Sequence, residues 1–281
     1  VLFLEAGCHK EKKKERKSKW MKRRRNVLLN FILILLLIIA ACTGYQIFDS
    51  HQKYQDGENY YEKLKEDVAV VKHEVINEKD EIVSYIKKNR QKAPLDLNFG
   101  GLKRRLGENV RGWLYVEAVD ISYPIMQGND NQYYLHRNAE GSYEYAGSVF
   151  LDSQNSPDFT DRNSIIFGHN MADGSMFGKL KRFSLDGAIE TSPYIWVLTE
   201  KADYCYQIIS AQTATVSSEC YTLFPGNDNG FVDFLERMSL NSGIATGQWE
   251  FNNQDKLLTL STCNGDGNED SRYVVQAVRI Q

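Results

Sequence analysis

GWLYVEAVDISYPIMQG, residues 112–128, reads as two short apolar runs rich in aromatic and β-branched residues, parted by an acidic turn. Runs of this kind favour strands over helices. The same texture recurs to the C-terminus in GSVFLD (147–152), NSIIFGHN (163–170), YIWVLTE (194–200), YCYQIIS (204–210), DKLLTLSTC (255–263) and RYVVQAVRI (272–280), with Gly, Asn, Asp and Pro between them. Many short strands at regular spacing predict an antiparallel barrel or sandwich. In the last run Val274 and Val275 are adjacent, so a strand buried on both faces is expected there. Helical inserts are expected at 130–136, 175–184 and 229–240.

Upstream of residue 112 the texture differs. With 42% hydrophobic and 25% charged residues the 281-residue chain is globular in composition. Its net charge of −3 is unevenly spread: residues 1–26 carry +8, leaving −11 for the rest. That basic arm ends at Lys22–Arg25 against VLLNFILILLLIIAACTGYQIF (27–48), an uncharged run. As a helix such a run matches the ~30 Å hydrocarbon core, and flanking basic residues keep the N-terminal side cytoplasmic. A nucleic-acid role for the arm therefore gives way to a basic cytoplasmic tail (1–26), a transmembrane signal anchor (27–48) and an extracellular remainder. Two rivals share the segment: a cleaved signal peptide, and a lipoprotein in which Ile39–Cys42 is the processing box and Cys42 the lipidated residue. All three export the same domain. Met21 is an alternative start.

Residues 49–95 form a charge-rich arm. Val68, Val71, Val75, Ile82, Tyr85 and Ile86 fall at helical spacing, which predicts one or two amphipathic helices ending near Pro94. The domain proper is expected over 96–281.

Cys205, Cys220 and Cys263 follow the anchor, an odd number, so at least one is a free thiol or pairs between chains. Cys205 suits a small buried core residue, and a Cys205–Cys220 bridge stays open. A thiol nucleophile needs an acid–base partner and a donor for the developing oxyanion. His51 and His73 belong to the charged arm, leaving His136 and His169. His169 follows a strand-like run through one glycine, a place where a rigid element presents a polar side chain. Arg272 opens the final strand across NGDGNEDS (264–271) from Cys263, and antiparallel pairing would bring the two together. That loop alternates Asp266, Asn268 and Asp270, but Ser271 and Ala277 stand where an EF-hand needs Gly and Glu, so no metal is expected. No cofactor is expected either.

TLSTC (259–263) with a following Arg at a strand start, and GHN (168–170) upstream, resembles the sortases, the cysteine transpeptidases of Gram-positive surfaces. WLYVEAVDISYPIMQGNDNQYYLHRN (113–138), GSVFLD, IIFGHNMADGSMFGKL (165–180) and LLTLSTC, in that order, resemble class B. The resemblance runs from about Val110 onward. It implies a closed sortase-type β-barrel with peripheral helices, an α+β fold that is mainly β, preceded by the transmembrane helix.

It further implies Cys263 as nucleophile, His169 as the catalytic histidine and Arg272 as the catalytic arginine. Ser261 matches a serine lining the site. Asn131 and Leu135, four apart on one helical face, match residues that hold the sorting peptide. Tyr221 matches a tyrosine of the groove, and His136 becomes a neighbour of that wall. Phe167 departs from the Tyr common before GH, which costs a hydroxyl and not the reaction. The implied partners are the sorting-signal peptide of a surface protein and an amine acceptor, either a peptidoglycan precursor or a pilin lysine. Wall anchoring and pilin polymerisation are not separated by sequence. An alternative of another class is a non-catalytic exported lipoprotein or adhesin in which Cys263 is structural.

Overall fold

The computed structural model describes residues 2–71, 93–225 and 230–281. By contacts the chain divides into two units, Val1–Lys53 and Tyr54–Gln281. The first unit is helical, the leading part of α1 (Leu2–Val68). The stretch Trp20–Val68 of this helix includes a window long and apolar enough to cross a membrane, none of it buried by protein. This is the candidate anchor.

In the second unit eight strands close a barrel: β3 (Val110–Val116), β4 (Ile121–Met126), β5 (Val149–Leu151), β6 (Asn163–Phe167), β7 (Tyr194–Leu198), β8 (Asp203–Thr215), β9 (Leu257–Cys263) and β10 (Ser271–Arg279). Their order around it is β10-β8-β7-β3-β4-β5-β6-β9. Closure leaves no open edge. Most neighbours are antiparallel, but β5 runs parallel to β4 and β9 parallel to β6. Trp113 on β3 is fully buried, and its indole N–H donates to Ser122 Oγ on β4 at 3.0 Å, which satisfies the one polar atom of a large core side chain.

β10 is buried on both faces, as the adjacent Val274 and Val275 predict. Tyr273, Val275 and Ala277 face the main core, while Val274 and Val278 face a second cluster. That cluster is built on α4 (Gly230–Leu240), whose Phe231, Phe234, Leu235 and Met238 recur at helical spacing and are all buried. Each such side chain contributes about 1.5–3 kcal/mol of burial. Cys205 lies in the main core and Cys220 in the second cluster, and no disulfide joins them.

Three expectations about helices need correction. At 130–136 the helix is a single 3₁₀ turn, Tyr133–His136, because Asp130 Oδ1 accepts from the N–H groups of both Gln132 and Tyr133 at 2.8 Å and delays its start. At 175–184 most of the span is turns, with only the short α3 (Arg182–Leu185) helical. In the arm, Val68 is the last residue of α1, while Val71 lies in a strand: β1 (Ala69–Val71) pairs with β2 (Leu95–Leu97), which follows Pro94. Residues 72–92, including Val75, Ile82, Tyr85 and Ile86, lie outside the described residues. α2 (Phe99–Leu106) follows, capped by Asn98, whose side chain accepts from the Gly101 N–H. Packing also reaches further N-terminal than a division at residue 95, since Tyr61, Leu64 and Val68 are buried in the main core.

Candidate active site

One end of the barrel collects the ends of β6, β9 and β10. In the β9–β10 ladder Arg272 pairs directly with Cys263. In the parallel β6–β9 ladder Phe167 pairs with Ser261, and the Gly168 N–H continues it to the Ser261 carbonyl at 3.2 Å. His169 and Cys263 each stand two residues beyond that last pair. Asn170 ties the same ends together, its Nδ2 donating to the Cys263 carbonyl at 2.9 Å. Gly168 is required by space, because a Cβ there would stand 2.8 Å from the Phe177 ring.

A cavity of about 790 Å³ opens over these ends, and all seven residues singled out in the sequence line it. Cys263 is exposed at its floor. Ser261 is buried, and its Oγ lies 2.7 Å from the Tyr221 hydroxyl. Burial pushes the Tyr221 phenol up to about 12, against the hydrogen bond from Ser261. Phe167, where a hydroxyl is missing, stacks on the Tyr221 ring at 6.4 Å instead. On the facing wall Asn131 is locked at both ends: its Nδ2 donates to Asp152 Oδ2 at 3.0 Å and its Oδ1 accepts from the Ser153 N–H at 2.8 Å. Asn131 precedes the 3₁₀ turn, so it shares the wall with Leu135 without sharing a helical face.

Arg272 Nη1 donates to the carbonyls of Glu269 at 2.6 Å and Ser271 at 3.0 Å, which fixes the base of the guanidinium. The loop behind it is organised by Asp266, whose carboxylate accepts from Asn264 Nδ2, Ser271 Oγ and the Asn268 N–H. These bonds hold the Asp266 carboxyl below the usual carboxylate range. Lys181 Nζ also donates to the Asn264 carbonyl.

Several supports lie outside the residues that the sequence singles out for this purpose. His169 Nε2 lies 2.7 Å from the Leu135 carbonyl, so Leu135 meets the histidine through its backbone. His136 stacks on His169 with centroids 5.6 Å apart and planes 25° from parallel. Burial lowers the His169 pKa below its usual value, and repulsion from His136 adds to this while the Leu135 carbonyl opposes it. Asn163, fully buried at the start of β6, donates through Nδ2 to the carbonyls of Cys220 and Thr222 at 3.0 Å and holds Tyr221 over the groove. The pairing of Leu135 and His136 with His169 has no local signal, since 33 residues separate the two histidines; Asn170 had one, adjacent to His169 in GHN.

The profile of the family described as Sortase, for the sortase domain, matches residues 114–280. The chain belongs to the sortase family. It is similar to Sortase B of Listeria monocytogenes, with 34% identity over 62% of this chain and 70% of that protein. Among solved structures it is similar to Clostridium perfringens sortase B, at 28% identity and TM-score 0.60 over 66% of this chain and all of that one. It is also similar to B. anthracis sortase B in complex with AAEK1, at 25% identity and TM-score 0.65 over 82% of this chain and 99% of that one. The family places this sortase in class B, among cysteine transpeptidases that act on sorting-signal peptides. Its groove has the make-up a peptide needs, with apolar Leu135, Ile165 and Phe167 beside polar Asn131 and Asp152.

Proposed function

We propose that this sortase cleaves a C-terminal sorting signal after threonine and transfers the new carboxyl end to a cell-wall amine. The Cys263 thiolate attacks the threonyl carbonyl carbon, forming the C–S bond. Arg272 donates to the oxyanion of the tetrahedral intermediate. As the C–N bond breaks, the His169 imidazolium gives its proton to the leaving amine, and a thioester on Cys263 results. An acceptor amine then attacks the thioester carbonyl, its proton passes to His169 and the thiolate leaves. Asn131, Leu135, Ser261 and Tyr221 hold the peptide.

The observation that carries this reading is the pairing of Arg272 with Cys263, with His169 at the adjoining strand end. A guanidinium next to a thiol favours the thiolate and supplies fixed donors. The step needs Cys263 ionised while His169 is protonated. The depressed pKa of His169 narrows the pH range in which its imidazolium is available. The apolar helix, preceded by Lys22–Arg25, anchors the protein with its N-terminus in the cytoplasm and residues after 48 outside.

The test is incubation of the full chain in detergent with a library of sorting-type pentapeptides, followed by mass spectrometry. A thioacyl adduct on Cys263 that vanishes in Cys263→Ala is expected. No adduct with any peptide, or one that survives the substitution, overturns the transpeptidase mechanism and returns Cys263 to a structural role.

A further inference from the structure

In the second unit, one stripe of α1 is buried: Gly57, Tyr61, Leu64 and Val68, at helical spacing. Its N-terminal half, Gly57 and Tyr61, lies against the chain that leads into β5. A Cβ at Gly57 would stand 3.3 Å from Ala146 Cβ, so the helix backbone rides directly on that segment. One turn later the Tyr61 hydroxyl donates to the Gly147 carbonyl at 2.7 Å and lies 3.1 Å from Ser148 Oγ. Tyr61 is deeply buried, where a phenol is costly without a partner.

Gly147 is the point where this contact meets the groove. Its φ is 60°, and a Cβ there would stand 2.4 Å from the Leu135 oxygen and 2.8 Å from the Tyr134 oxygen. The Ser148 N–H donates to the Tyr134 carbonyl at 3.0 Å, and Ser148 Oγ donates to the Arg137 carbonyl at 2.7 Å. The turn thus grips the 3₁₀ helix Tyr133–His136 from behind. On the front of that helix the Leu135 carbonyl meets His169 Nε2.

We infer that Tyr61 is a positioning residue for His169: its hydroxyl pins the Gly147–Ser148 turn against the 3₁₀ helix and so fixes the Leu135 carbonyl that orients the imidazole. The arm after the candidate anchor is then part of the active-site scaffold. Loosening the turn lets the carbonyl shift, which lengthens and misaligns the 2.7 Å hydrogen bond and weakens its hold on the ring. The effect on turnover rests on the catalytic reading of His169, whereas the effect on the imidazole does not.

The experiment uses the full chain in detergent with ¹⁵N-labelled histidine. Tyr61→Phe removes one oxygen and keeps the ring. It is expected to shift the His169 Nε2 resonance, which reports the hydrogen bond, and to lower kcat about threefold to thirtyfold with KM held within about twofold. Leu64→Ala, on the same stripe but with no polar group to bond the turn, is expected to lower Tm and leave the resonance in place. Ser148→Ala removes the other hydroxyl of the network and gives the same reading if Tyr61→Phe is not recovered folded. Superimposable His169 resonances in wild type and Tyr61→Phe, or an equal shift in Leu64→Ala, overturn the inference. A normal resonance shift in Tyr61→Phe combined with full activity of His169→Ala would instead overturn the catalytic reading and leave the positioning intact.

Discussion

Arg272 is the direct cross-strand partner of Cys263, the last residue of β9. Their loop keeps the pair in place, since Glu269 and Ser271 hold the guanidinium through their carbonyls. Replacing Arg272 with Ala is expected to slow thioester formation about 10²–10³-fold, the usual loss when an oxyanion donor is removed. Lys at the same position should recover little of it, lacking the planar fork. Single-turnover mass spectrometry of the adduct on Cys263 measures both, and an alanine variant within about threefold of wild type would refute the assigned role.

On the proposed role of His169, its burial should set the acid side of the pH profile. Because burial lowers its pKa, the acid limb of kcat/KM belongs below the ~6.5 of a free imidazole. His136→Phe keeps the stacked ring and removes the second imidazole's charge, so the limb should move toward higher pH. A rate that is flat from about pH 5 to about pH 10 would count against a role for either titrating partner.

The same burial is linked to folding. In the unfolded chain His169 takes up its proton near ~6.5, while in the folded chain it does so only at lower pH. The unfolded state therefore binds more protons in that interval, and its contribution to stability is lost as pH falls below ~6.5. His169→Gln should flatten this acid-side loss in urea unfolding between about pH 5 and about pH 7, without changing the pH dependence above it.

Tyr221 and Ser261 share a 2.7 Å hydrogen bond beneath the groove. Tyr221→Phe leaves the Ser261 oxygen without that partner and is expected to cost about 1 kcal/mol of stability, read by chemical denaturation. If Tyr221 also holds peptide, KM rises in the same variant while the pH limbs stay where they are, because its phenol titrates at about 12.

Phe234 on α4 is fully buried and packs at 4.7 Å on the Phe224 ring and 6.2 Å on Phe231. Phe234→Ala should destabilise the barrel by about 3–5 kcal/mol. A change under about 1 kcal/mol in denaturant unfolding would mean that α4 does not cover β10 as described.

Much of this was legible in the chain because it is written in patterns of short range. The recurring β-branched and aromatic runs gave the strands, the segment 229–240 carried a helix expectation that α4 meets, and Arg272 opening the run across the loop from Cys263 implied their pairing. What was not legible depends on contacts that sequence spacing does not encode. Asp130 shortens the helix expected at 130–136 by binding two backbone N–H groups. The grip of the Leu135 carbonyl and the His136 ring on His169 follows from β4, β5 and β6 lying side by side in the sheet, a tertiary pairing that spacing along the chain does not announce. The split of the arm at Val68 into helix and strand depends on β2, which supplies the partner.

The parallel pairing of β6 with β9 joins residues 163–167 to residues 257–261. Such distant pairings carry a large loop-closure cost and form slowly. The thiol of Cys263 can meet Arg272 early, through the local β9–β10 hairpin, but it meets His169 only when the distant β6–β9 ladder forms. On the proposed roles of Cys263 and His169, the enzyme would be armed by completing its fold: the rate at which Cys263 gains selective reactivity toward a peptide during refolding would be a clock for the β6–β9 closure, and a molecule stalled before that point would not be acylated by its substrate.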